Sequence, residues 1–196
     1  TRRVVAGLGQ SFILLEDEDK VLGTGAIKCV TLAIGMENGM LYANGTICKS
    51  DLDEQHWQSA INEAHLLHEL KGRPGVLQLA LAIEHEDQFS LITEYYNEGD
   101  LQKVFEKKIP FSLAAKIRLA ADMAQGLLEV HQRNILHRDL KPSNILIEIE
   151  EKKARAVIGD FGSACKRDNH LIKKMRTGTL AYMAPEKIHS LPEKDE

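Results

Sequence analysis

A change of apolar periodicity part-way along the chain constrains its fold most. Over residues 12–49 the apolar side chains fall in short Leu-, Ile- and Val-rich runs, broken by Gly23-Thr24-Gly25, Glu37-Asn38-Gly39 and Asn44-Gly45. Short runs bounded by turn formers predict strands and hairpins. Over residues 50–70, Trp57, Ala60, Ile61, Ala64 and Leu67 instead recur at helical spacing, behind an N-cap at Asp51 or Asp53. Gly72-Arg73-Pro74-Gly75 ends that helix, and residues 76–83 and 89–96 predict a second hairpin around Glu84-His85-Glu86-Asp87. After the polar break Asn97-Glu98-Gly99-Asp100, helix dominates: Ser112 is placed to cap a segment with Leu113, Ile117, Ala120, Ala124, Leu127 and His131 on one face. Residues 145–147 and 156–158 then read as two short strands joined by a charged turn. The pattern is α+β, a sheet-rich lobe with one helix at 12–96 followed by a mainly helical lobe at 97–196.

Composition narrows the class further. With 196 residues, 43% of them hydrophobic, the chain is long enough for a sizeable core. A formal charge of −4 gives no overall electrostatic footprint for nucleic acid or an anionic membrane. No run approaches the roughly 18 apolar residues a membrane span needs, and the first residues carry no signal-peptide core. Cys29, Cys48 and Cys165 are odd in number and scattered, as expected for reduced thiols in a cytoplasmic or nuclear compartment.

Three ordered motifs carry the chemistry. His137-Arg138-Asp139-Leu140-Lys141-Pro142-Ser143-Asn144 offers a carboxylate base and an amide ligand in one loop; Asp160-Phe161-Gly162 begins sixteen residues after Asn144, and Ala184-Pro185-Glu186 closes the segment. These stretches resemble the protein-kinase signatures H-R-D-L-x-x-x-N, D-F-G and A-P-E. The resemblance covers roughly residues 12 to 190. It implies a two-lobed protein-kinase-like fold, a small antiparallel β-sheet lobe with one helix plus a mainly helical lobe. The family continues with further helices, so the second lobe is expected to be incomplete and the domain truncated. The implied activity is ATP-dependent transfer of the γ-phosphate to a protein Ser or Thr hydroxyl, with Mg2+ as cofactor. The alternative is a non-catalytic ATP-binding or regulatory module.

The same resemblance assigns residues. Asp139 would accept the hydroxyl proton, Lys141 would contact the γ-phosphate as in serine/threonine kinases, and Asn144 and Asp160 would hold magnesium. Gly23 and Gly25 match the first two glycines of the loop G-x-G-x-x-G-x-V, but Lys28 occupies the place of the third. Lys49 resembles the strand lysine of V-A-I-K that holds the α- and β-phosphates, with Glu63 as its helix partner. In that alignment Ile47 replaces the small residue above the adenine, and Glu63 comes only fourteen residues after Lys49. Val30 and Leu146 would sandwich the adenine, Thr93 would guard the back pocket, Glu94 to Tyr96 would form the hinge, and Asp100 would meet the ribose. Thr179 would support Asp139, while Thr177 is a candidate for phosphorylation by an upstream kinase, with Arg138 gripping the added phosphate. The basic Lys173, Lys174 and Arg176 precede it.

Overall fold

Alternating burial along the early strands builds a curled antiparallel sheet. The computed structural model describes residues 2–24, 28–151, 153–168 and 177–189. The first strands are β1 (Arg2–Gly7), β2 (Gln10–Leu15), β3 (Val21–Thr24), β4 (Cys29–Gly35) and β5 (Leu41–Cys48). Helix α1 (Glu54–Glu69) follows, then β6 (Leu79–Glu84) and β7 (Gln88–Glu94). The strand order is β1-β2-β4-β5-β7-β6, and β3 joins β4 beyond the end of β2. The sheet therefore starts ahead of residue 12, because a hairpin at residues 2–15 precedes the strands expected from the sequence.

That hairpin has a packing role. Val5, Phe12 and Leu14 bury against Ala33, Leu81 and Ile92, forming a small core inside the curl. Phe12 meets Tyr42 edge-on, with ring centroids 5.0 Å apart. A side chain on Gly7 would lie 3.0 Å from Leu81 Cδ1, so glycine lets β1 close over β6 at the opposite end of the sheet. Arg3 Nη1 also donates to Gln88 Oε1 at 3.1 Å. Strand β7 is buried on both faces because Ile92 points into this inner core while Phe89 and Leu91 join the main one.

The main core lies between the sheet, α1 and the second lobe. Helix α1 starts at Asp53, whose carboxylate accepts the His56 amide at 2.9 Å, and it buries Trp57, Ala60, Glu63, Ala64, Leu66 and Leu67. The second lobe contains β8 (Gly99–Asp100), α2 (Leu101–Glu106), α3 (Leu113–Gln132) and β9 (Ile135–Leu136). It continues with β10 (Ile145–Glu150), β11 (Lys153–Ile158), β12 (Cys165–Lys166) and the short α4 (Pro185–His189). Ser112 caps α3 by accepting the Ala115 amide.

One local expectation is corrected, and the structure decides which face of α3 is buried. The face carrying Leu113 and Ile117 is exposed, and the helix buries Leu119, Gly126 and Val130. The helix has two apolar stripes, and Gly126 decides between them by admitting the Gly75 backbone. The charged stretch between residues 148 and 155 is mostly strand: β10 and β11 pair from Ile145↔Ile158 to Glu150↔Lys153. Glu148 and Arg155 face each other there as a cross-strand ion pair at 2.9 Å.

Candidate functional site

Between the sheet and the second lobe lies a cleft of about 930 Å³. Strand β5 presents Ala43, Gly45 and Ile47 to it, since residues two apart share a face of a strand. Val30 lines it from β4 and Leu146 from β10, while Thr93, Glu94 and Tyr96 line its inner edge. Tyr96 is buried and donates to Glu94 Oε2 at 2.9 Å; burial and the Glu94 charge push the phenol far above its ordinary pKa. Asp100 also lines the cleft and caps α2, accepting the Lys103 amide at 2.9 Å. Lys103 Nζ in turn donates to Leu22 O at 2.9 Å, tying the cleft mouth to the strand before the glycine loop. Gly23 lines the cleft, whereas Gly25 lies outside the described residues.

Residues of the Asp139 loop form a wall of this cleft. Thr179 Oγ1 donates to Asp139 Oδ1 at 2.8 Å and accepts from Lys141 Nζ at 2.8 Å. Lys141 Nζ also lies 2.8 Å from Asp139 Oδ2. Asn144 Nδ2 donates to Asp139 O at 2.8 Å and to its Oδ2 at 3.3 Å, which leaves the amide oxygen of Asn144 as its acceptor. Burial pushes the Asp139 carboxyl up, but the hydrogen bonds from Lys141 and Thr179 outweigh it and hold the group below its ordinary value, ionised at neutral pH. Lys141, Asn144 and Asp160 line the main cleft. Asp139 and Thr179 line a second hollow of about 340 Å³, bounded also by Arg138, Tyr182 and Lys187. Asp139 thus stands between two concave surfaces.

Buried contacts hold the loop in place. His137 is buried, with Nε2 2.9 Å from Gly159 O; a carbonyl can only accept, so that nitrogen carries the proton. Desolvation lowers the His137 pKa and keeps the ring neutral. Its ring meets the fully buried Phe161 at 5.0 Å. Arg138 and Asp160 both have left-handed backbones, at φ +70° and +56°, a conformation that costs non-glycine residues about 1–3 kcal/mol each. Arg138 Nε donates to Ser163 O at 2.6 Å, and Thr177 Oγ1 donates to Ser163 Oγ at 2.8 Å, so the residue expected to grip a phosphate and its candidate acceptor meet at one serine. From α1, Ser59 donates to Gly162 O and Asn62 Nδ2 to Ala164 O at 3.0 Å, fixing that helix to the Asp160 segment.

The expected pairing of Lys49 with Glu63 is corrected. Buried Glu63 is bonded by Lys28, whose Nζ lies 3.0 Å from Oε2 and 3.2 Å from Oε1. Lys49 is exposed at the end of β5, with its ammonium 5.1 Å above the Trp57 ring. The reason is register. Ala43 lines the cleft and Gly45 follows two residues later, so Ala43-Asn44-Gly45 takes the frame expected of Ile47-Cys48-Lys49. Four residues of strand displace Lys49 by about 13 Å. Ile47, expected above the adenine, is buried in the main core as well as touching the cleft. The sequence carried signals for this arrangement: Lys28 in the place of the third glycine, alanine rather than isoleucine as the small residue, and the short spacing from Lys49 to Glu63.

A family model described as protein kinase domain matches residues 17–196. The chain belongs to the protein kinase family. It is 32% identical over 146 residues to the serine/threonine/tyrosine-protein kinase HT1 of Arabidopsis thaliana, covering 74% of this chain and 35% of that protein. It is 33% identical over 168 residues to a probable serine/threonine-protein kinase of Dictyostelium discoideum, covering 85% of this chain and 33% of that one. It is also 35% identical over 108 residues to the dual specificity testis-specific protein kinase 1 of Mus musculus, covering 55% and 17%. The chain thus spans about a third or less of the relatives' lengths. As a kinase domain it is of the class that binds ATP, typically with a divalent metal, and acts on proteins. Strands β1 and β2 both precede the matched span. Among the described residues no helix is long and apolar enough to cross a membrane.

The site fits a divalent ion of the magnesium type. Asp160 and Asn144 supply hard oxygen donors within one cleft. Among the described residues no group of three or more His, Cys, Asp or Glu forms a metal cage. An ion of this type is commonly held by one or two protein oxygens together with substrate phosphates.

Proposed function

We propose that the protein transfers the γ-phosphate of ATP to a serine or threonine hydroxyl of a protein substrate. The convergence of Thr179, Lys141 and Asn144 on the Asp139 carboxylate carries this reading. An ionised carboxylate with fixed orientation between two hollows is placed to align an incoming hydroxyl and take its proton. The hydroxyl oxygen bonds to the γ-phosphorus as the bond to the bridging oxygen breaks, ADP leaves, and the proton passes to Asp139. Lys141 balances the charge that accumulates on the transferring group. Adenine would lie between Val30 and Leu146 against the Glu94 to Tyr96 segment, with Asp100 at the ribose. Magnesium, held by Asn144 and Asp160, would neutralise the phosphates. Lys141 two residues after the base supports Ser/Thr over Tyr acceptors. An upstream kinase acting on Thr177 is part of the same reading, since Arg138 meets the same serine.

Asp139→Asn and Asp160→Asn test the roles separately. Asp139→Asn should abolish transfer of labelled phosphate while the thermal shift produced by magnesium-ATP stays as in wild type. Asp160→Asn should diminish both, because it removes a metal ligand. Equal, small effects from the two substitutions would refute the assignment. A non-catalytic ATP-binding module would show nucleotide stabilisation with no transfer in wild type.

A further inference from the structure

We propose that Lys28, from the glycine-loop end of β4, is the cation that holds the ATP phosphates in this protein, and that Gly45 is the space-making residue that admits it. The inference rests on the kinase reading above and assigns the phosphate contact within it. It moves that contact from β5 to the neighbouring strand.

Three independent features of the site support it. First, the only described lysine bonded to Glu63 is Lys28, so the lysine–glutamate link between sheet and α1 exists but starts from β4. Second, β4 and β5 are in register through Cys29↔Thr46 and Val30↔Gly45, so Val30 faces Gly45 directly and Lys28, two residues before it on the same face, approaches Gly45 diagonally. Adjacent strands lie about 4.8 Å apart, a gap that a lysine side chain can cross. Third, a Cβ on Gly45 would stand 2.5 Å from Lys28 Cε and 3.5 Å from its Cδ and Cγ. A side chain at position 45 and Lys28 therefore compete for one space. The position two residues after Ala43, from which the family's strand lysine arises, is occupied here by glycine.

The electrostatics suit the role. Burial favours the neutral amine, but the carboxylates of Glu63 and Asp160 outweigh it, so Lys28 stays protonated, its pKa above the ordinary lysine value. Lys28 and Asp160 line the same cleft. A cation bonded to the helix carboxylate in the cleft that Asp160 also lines is placed where α- and β-phosphates would pass. Lys49 has neither neighbour and lies over Trp57.

The test compares wild type, Lys28→Ala, Lys28→Met, Lys49→Ala, Gly45→Lys and the exchange Lys28→Gly with Gly45→Lys. Magnesium-ATP affinity and phosphate transfer are measured on each, after circular dichroism has shown the fold. Losing a charge-assisted contact should weaken ATP binding about tenfold or more in both Lys28 variants, with a larger loss of transfer. Lys28→Met keeps the packing, so its loss reports charge rather than folding. Lys49→Ala should stay within about twofold of wild type, a change typical of a surface residue. Gly45→Lys alone should impair binding through the clash, and the exchange should recover about tenfold or more of what Lys28→Ala lost, because the ammonium returns from the other strand. Wild-type affinity in Lys28→Met, or a loss in Lys49→Ala instead, would overturn the inference while leaving the kinase reading intact. No ATP binding by wild type would overturn that reading and this inference with it.

Discussion

Replacing Gly126 by Ala sets two effects of opposite sign against each other. In an exposed helix interior alanine is favoured over glycine by about 1 kcal/mol. Gly126 is buried on α3, however, where an added methyl would overlap the carbonyl oxygen of Gly75, come within 2.8 Å of its carbonyl carbon and reach 3.1 Å from Ile158 Cδ1. Gly75 cannot move freely, because its φ of +72° and its bond from the Ile158 amide at 2.9 Å hold it, and the Leu77 amide bonds Ile158 O at 2.9 Å on the same strand. Overpacking of this kind costs about 1–3 kcal/mol, and loosening a buried backbone hydrogen bond adds about 1–3 kcal/mol. The steric side wins, for a net loss of about 1–5 kcal/mol. For a domain of this size that lowers the melting temperature by about 2–20 °C. Thermal unfolding followed by circular dichroism measures it, with Ala120→Gly at an exposed position of the same helix giving the propensity contribution by itself. A Gly126→Ala protein as stable as wild type, or more so, would refute the close approach and the choice of buried face that follows from it.

Thr179→Val removes both the donor to Asp139 and the acceptor of Lys141, and each such bond to a charged group is worth about 1.5–3 kcal/mol. Turnover should fall about ten- to hundredfold with the KM for ATP nearly unchanged, and Thr179→Ser should restore most of it; steady-state kinetics that show an equal loss in the serine variant would exclude the hydroxyl as the active feature. The buried His137 makes stability pH-dependent. Desolvation depresses its folded pKa, so the unfolded chain takes up the proton first, stability rises with pH across that interval, and it is lost as pH falls below about 6.5. Unfolding midpoints between pH 8 and pH 5 should show this fall, and His137→Asn should flatten it; an identical slope in the variant would place the effect elsewhere.

The sequence by itself determined the two-lobed order, the helix α1 with a cap at Asp51 or Asp53, of which the structure selects Asp53, the Ser112 cap, and the residues of the Asp139 loop. Each is written in local terms: apolar periodicity, a capping side chain, or a short motif whose members lie within one loop. It misplaced the partner of Glu63 and the start of the sheet, and it left the buried face of α3 undecided. These depend on contacts between residues far apart in the chain. Lysine at position 28 or 49 is an equally good partner for Glu63 in one dimension, and only the register of β4 against β5, with no side chain at Gly45, brings one of them within 3.0 Å. Helix α3 has apolar residues enough for either stripe, and the backbone contact between Gly75 and Gly126 chooses. The hairpin at residues 2–15 has a place because Leu81, more than sixty residues later, passes under Gly7. Local pattern specifies which elements form, whereas register and close packing specify which side chains meet, and at this cleft the second decided which lysine bonds Glu63.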